Sequence, residues 1–168
     1  SESNIFLVIS AGERSGATTL ASAMALTIAS SKKDPTAYIE FPHQRIPALF
    51  GFSPDTEVYA HPGGYQVFNP QLMPDLPQTA QITLFVDQAI NKYKNIVVCI
   101  SWDLVGQLEF LVRGASEIIL SVPASREAWN RATGYLTTLR SQVQANKTRL
   151  FTVINHSTPQ HPEDLTGI

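Results

Sequence analysis

The chain alternates short, wholly apolar runs with longer segments in which apolar residues return every three or four positions. Asn4-Ile-Phe-Leu-Val-Ile-Ser10, ended by Ala11-Gly12, predicts a strand buried on both faces. Ser15 to Ser31 is rich in Ala, Leu and Met and is stopped by Asp34-Pro35, which predicts a helix. That helix carries no charged residue and offers water only Ser and Thr, so it is expected to pack between neighbours. Thr36 to Phe41 predicts a second short strand. Farther on, Ile82, Phe85, Val86, Ala89, Ile90 and Tyr93 form the stripe of an amphipathic helix, and Ile96 to Ile100 a second fully apolar strand. Leu104, Leu108, Leu111 and Val112 mark a helix with Gly114 as its C-terminal cap. Glu117 to Val122 is a strand closed by Pro123. Trp129, Ala132, Leu136, Leu139 and Val143 mark a long helix with Arg126, Arg131 and Arg140 on its wetter side. Arg149 to Ile154 is the last strand, and the tail from Asn155 to Ile168 has no period. Strands joined by connections long enough for crossovers predict an α/β fold: an open, mainly parallel sheet with helices on both faces.

One stretch breaks the alternation. Seven of the eleven prolines lie between Pro42 and Pro77, with Gly51, Gly63 and Gly64. Only Tyr65 to Phe68 there predicts a strand, and Ile46 to Phe50 a short helix. Phe50, Phe52, Tyr59, Tyr65 and Phe68 are too many aromatics for a solvated linker, so 42–77 is expected to be a long ordered connection within one domain spanning 1–168. The chain opens on Ser1 rather than Met, which reads as a domain excised from a larger protein.

Composition narrows the partners. Twelve Lys and Arg against fourteen Asp and Glu give a net charge of −2, without the long-range pull of a general nucleic-acid or anionic-membrane binder. No apolar run approaches the roughly 20 residues of a membrane span, so direct membrane insertion is not expected. The single cysteine, Cys99, lies inside an apolar strand and reads as core; with no internal disulfide available, it fits a reducing, cytoplasmic setting. His43, His61, His156 and His161 have no metal-site spacing. Arg126, Arg131, Arg140, Lys147 and Arg149 read as a solvated face rather than a nucleic-acid site.

In an open parallel sheet, ligands bind beyond the carboxyl ends of the strands, and the first strand-to-helix turn is the leading candidate. Here it is Ser10-Ala-Gly-Glu-Arg-Ser-Gly-Ala-Thr-Thr19. Small residues let the backbone wrap closely, and N–H groups at the following helix start suit a phosphate. A full phosphate loop needs GxxxxGK[ST]. Gly16 and Thr18 are present, with Thr19 beside them, but Ala11 stands at the first glycine and Ala17 at the lysine.

From residue 4 to about 156 the sequence resembles the ParA/MinD group of P-loop ATPases, whose signature is a strand followed by GxKGGxGKTT and a small-residue helix. Tyr38-Ile-Glu-Phe41 resembles that group's second strand with its acidic end, and Ile46 to Gly51 the short leucine-and-glycine segment after it. Asn95 to Trp102 resembles the strand carrying a metal-site aspartate. Phe151 to Asn155 resembles the strand ending in an asparagine near adenine. GATT in place of GKTT is similar to the TadZ/CpaE-like branch of atypical members. The resemblance implies a Rossmann-like, three-layer P-loop fold. It implies ATP or ADP with Mg²⁺ as the ligand, held by Gly12, Glu13, Arg14, Ser15, Gly16, Ala17, Thr18, Thr19 and Asn155, with Thr18 and Glu40 as metal ligands.

The departures bear on chemistry. The group's signature lysine falls on Gly12, the loop lysine on Ala17 and the metal-site aspartate on Ile100. Hydrolysis depends on positioning and on neutralising phosphate charge, and each such donor is typically worth about 3 kcal/mol of barrier. Three losses predict turnover reduced by orders of magnitude or absent. Substitutes have two readings each. Arg14 is a phosphate contact or a solvated loop charge beside Glu13, Glu40 a Mg²⁺ ligand or a strand-end carboxylate, and Asp103 a metal ligand or the N-cap of a helix starting at Leu104. The sequence therefore points to a degenerate domain serving as a regulatory, docking or localisation module, with protein partners or other domains of its own chain. The alternative is a working switch that dimerises around nucleotide, as septum-site and pilus-assembly localisation ATPases do.

Overall fold

The computed structural model describes residues 3–41, 57–69, 75–143 and 147–155. Seven strands form one sheet: β1 Asn4–Ser10, β2 Thr36–Glu40, β3 Val58–Ala60, β4 Gln66–Phe68, β5 Asn95–Ser101, β6 Glu117–Pro123 and β7 Arg149–Asn155. Their order is β3-β4-β2-β5-β1-β6-β7, and every pairing is parallel except the β3–β4 edge. The helices are α1 Ala17–Lys32, α2 Gln78–Ile90, α3 Glu109–Gly114 and α4 Arg126–Gln142. β1 is central because it is apolar throughout, and Leu7, Val8 and Ile9 are wholly buried, as a strand covered on both faces requires.

Side-chain alternation divides the core in two. Ile5, Leu7, Ile9, Ile39, Ile96, Val98, Ile100, Ile118 and Leu120 meet α2, α3 and α4 on one face. Phe6, Val8, Tyr38, Val97 and Cys99 meet Ala17, Ala21, Ala25 and Ile28 of α1 on the other. Alanines let α1 lie close to the sheet. The helix ends where Lys33 turns left-handed (φ 54°), just before Asp34-Pro35.

Four expectations need correction. The helix expected through Leu104 to Val112 is two pieces: a 3-10 segment, Trp102–Gln107, and α3. The break falls at Leu108 (φ −127°, ψ 42°), whose side chain is wholly buried. Helical periodicity was satisfied by two short segments turning the same residues inward. Gly114 is consequently the last residue of α3, and Ala115 caps it in extended conformation. Asp103 is no N-cap: Ser101 holds that place, without a side-chain bond, and Asp103 lies in the first turn. Finally, α1 is not packed between neighbours all round: Leu26 lies against Gly63 yet stays 44% exposed, and Thr19, Ala23 and Ser30 face outward.

The connection after β2 holds β3 and β4, of which only the second was expected. They form an antiparallel pair, Val58 opposite Phe68. Tyr65 and Phe68 are buried there, as too many aromatics for a solvated linker implied. The helix expected at Ile46–Phe50 and the tail beyond Asn155 lie outside the described residues, as do His43, His156 and His161. His61 stacks on Tyr65 (4.3 Å between ring centroids, 15°) and its Nδ1 accepts a hydrogen bond from the Gly63 N–H at 2.9 Å, so it shapes the local turn.

Candidate functional site

The parallel register brings the carboxyl ends of β5, β1 and β6 level. Ser10 lies beside Ser101 on one side and Ser121 on the other. From this edge the chain runs through Ala11–Gly16 into α1, and hydroxyls tie the turn together. Ser10 Oγ donates to the Gly12 carbonyl at 2.8 Å and lies 2.8 Å from Ser15 Oγ. Ser121 Oγ donates to the Ser15 carbonyl at 2.5 Å, and the Ala11 N–H to the Ser121 carbonyl at 2.9 Å. Ser15 is itself buried. Serines replace backbone tightness as the fastening of the loop.

Three backbone conformations shape the bend. Gly12 has φ 154°, Gly16 φ 77° and Arg14 φ 61°. At Gly16, the N-cap of α1, a Cβ would stand 2.9 Å from Asn155 Cγ and Nδ2, so the position requires glycine twice over. Asn155 Nδ2 donates to the Arg14 carbonyl at 3.0 Å, and the last strand thereby props the first loop. Thr18 and Thr19, in the first turn of α1, have N–H groups without an acceptor inside the helix, and both residues line the cleft.

The cleft over this loop has a volume of about 670 Å³ and is lined by the loop with Glu40, Phe41, Ser101, Trp102, Asp103, Arg131 and Tyr135. All the expected site residues from Gly12 to Thr19, and Glu40, border it. Thr18 Oγ1 donates to Glu40 Oε1, so the two expected metal ligands do meet. Glu40 is 4% exposed, at the end of β2. Beneath it, burial pushes the Cys99 thiol far above its ordinary range, and the Glu40 carboxylate adds to the effect. Burial likewise raises the Tyr38 hydroxyl, with Cys99 and Glu40 beside it adding to the effect.

The substituted positions are spent on packing. Ala17 is 5% exposed and packs with Val8 and Cys99 under α1. Ile100 is 1% exposed in the opposite core. Three carboxylates (Glu13, Glu40, Asp103) and two guanidiniums (Arg14, Arg131) line the cleft. Thr18 and Glu40 bring two side-chain oxygens together at the cleft, while neither Ala17 nor Ile100 places a charge there. Among the described residues no three His, Cys, Asp or Glu side chains cluster to hold a metal.

Sequence reasoning placed Arg131 on a solvated face and did not use Tyr135 or Ser121. Glu127, Arg131 and Tyr135 follow at four-residue steps on one side of α4. That stripe, on a helix starting at the carboxyl edge of the sheet, was the available signal. Ser121 became meaningful only through the strand register.

No family model matches the chain, and no curated protein does. Solved structures do. A ParA family ATPase from Chlorobium tepidum superposes with a TM-score of 0.66 at 12% identity, over 97% of this chain and 78% of that one. This chain has the fold of the ParA/MinD-like P-loop ATPases and their related kinases. The kinase domain of the Escherichia coli tyrosine kinase ETK matches at 0.61 with 17% identity, covering 94% and 71% of the two chains. Cobyrinic acid a,c-diamide synthase from Mycobacterium smegmatis, solved with ADP and magnesium bound, matches at 0.60 with 10% identity, covering 98% and 79%. One P-loop frame thus serves a ParA-type ATPase, a kinase and a synthase, and activity has to be argued from this chain's own cleft.

Proposed function

We propose that this is a P-loop domain that has lost hydrolysis and acts as a regulatory, docking or localisation module. The observation that carries the reading is the joint state of Gly12, Ala17 and Ile100. No side chain projects at the first, and the other two are buried in core, while the loop around them stays fully tied. Where hydrolysis needs a lysine on the phosphates there is the methyl group of Ala17, and where it needs a metal-site carboxylate there is the butyl group of Ile100. Gly12, Glu13, Arg14, Ser15, Gly16, Ala17, Thr18, Thr19 and Asn155 are the residues that would meet ATP or ADP, and Thr18 and Glu40 those that would meet Mg²⁺.

The outer face of α1, uncharged and carrying exposed Leu26, supports a role in contacting a protein partner or another domain of the same chain. No helix among the described residues is long and apolar enough to cross a membrane, and a net charge of −2 offers no pull on nucleic acid. A cytoplasmic setting suits the single buried thiol.

Isothermal titration with ATP and ADP, with Mg²⁺ present, tests the reading. Expected is binding without phosphate release, or none. An affinity tighter than about 10 μM accompanied by released phosphate would overturn it. A nucleotide-driven dimer, the second reading, would show as a mass doubling on adding ATP.

A further inference from the structure

We propose that Arg131 is the cation of this cleft, holding the terminal phosphate of a polyphosphate ligand in place of the missing lysines. The inference rests on the reading that the cleft retains a phosphate cradle. Arg131 Nη2 lies 3.8 Å from where a Cβ on Gly12 would stand, so the guanidinium hangs directly over the start of the loop. Gly12 leaves that approach open, and its φ of 154° disfavours any side chain that would close it.

The residues around Arg131 position it. Tyr135, one turn along α4, stacks on Trp102 with ring centroids 4.0 Å apart and planes 17° from parallel. This pins the stripe of α4 against the segment leaving β5. One turn before, Glu127 Oε1 accepts from Arg131 Nη1 at 3.0 Å. The Glu127 side chain is 85% exposed, and an exposed pair of this kind contributes little. A phosphate accepting two N–H bonds from the guanidinium is the stronger partner. Glu127 then turns to water. Arg14, the other cation, follows Glu13 in sequence, whose carboxylate repels the same anion.

The test uses a Trp129→Phe background, which leaves Trp102 the sole tryptophan and its stack on Tyr135 the reporter. The protein is titrated with sodium tripolyphosphate and with MgADP, following calorimetric heat and Trp102 emission. Saturable binding of both is expected. Arg131→Gln weakens it about tenfold or more, and Arg131→Lys by less. Glu127→Gln, which frees the guanidinium, tightens it about twofold. Arg140→Gln, the same charge change at the far end of α4, leaves it unchanged. A purely structural Arg131 would give no tightening in Glu127→Gln. Should Arg131→Gln fail to fold, Arg131→Lys and Glu127→Gln still decide. The proposal is overturned if Arg131→Gln binds within about twofold of the parent. It is also overturned if the parent binds neither ligand, an outcome that leaves the non-hydrolysing reading standing. Phosphate release from ATP by the parent would sink that reading while Arg131-dependent binding survived.

Discussion

At single positions the loop is governed by steric exclusion more than by charge. Gly16 adopts a left-handed conformation and has Asn155 where its Cβ would be. Gly16→Ala is expected to cost about 1–3 kcal/mol in urea unfolding; Asn155→Ala in the same chain relieves the contact but not the dihedral, and recovers only part. Cys99 illustrates a different cost. Its thiol stays protonated in the folded protein far above the usual thiol range, whereas the unfolded chain ionises it from about pH 8.5. The native state therefore binds more protons above that pH, and stability falls as pH rises, by up to about 1.4 kcal/mol per unit. The cysteine's share is present below pH 8.5 and disappears above it. Cys99→Ala, though less stable at neutral pH, should show a flatter decline between pH 8.5 and 10 in thermal melts. The glycine and threonine letters of the loop were legible in the sequence. Ser121 and Arg131 were not, because each reaches the loop from more than a hundred residues away through strand register and helix phase.

At the scale of elements, and among the described residues, apolar runs located the long strands and hydrophobic period located α2 and α4, while α1 was read from its helix-forming composition. These signals did not locate β3, in which Val58 and Tyr59 are partly buried and Ala60 is exposed, nor the break at Leu108. Two short segments and one long helix present the same inward leucines, so period alone does not separate them. Helix starts were less legible. Asp103 reads as a cap yet the chain uses Ser101, whereas Ser125 caps α4 by accepting from the Ala128 N–H at 3.1 Å. Ser125→Ala should cost about 1 kcal/mol in chemical unfolding, and because α4 carries Arg131 it should also weaken tripolyphosphate binding. The uncharged stretch of α1 fooled the sequence reading: lack of charge signalled burial, and the helix instead leaves one neutral face open.

For the whole molecule, the sheet order with β1 between β5 and β6 assembles the cleft from four crossovers at one edge. The open, mainly parallel sheet and the turn after β1 as its ligand edge were legible from the apolar strands and the crossover-length connections; the strand order was not. What the cleft does depends on side chains the fold does not dictate. Three acidic groups and two basic ones line the cleft, with Ala17 and Ile100 given over to core; on the proposed reading this is a phosphate cradle poorly charged for transfer. Single-turnover release of phosphate from γ-labelled ATP, with protein in excess and Mg²⁺ present, tests this most directly. The account predicts release no faster than in buffer, unchanged by Thr18→Ala. Release above buffer that Thr18→Ala abolishes would contradict it.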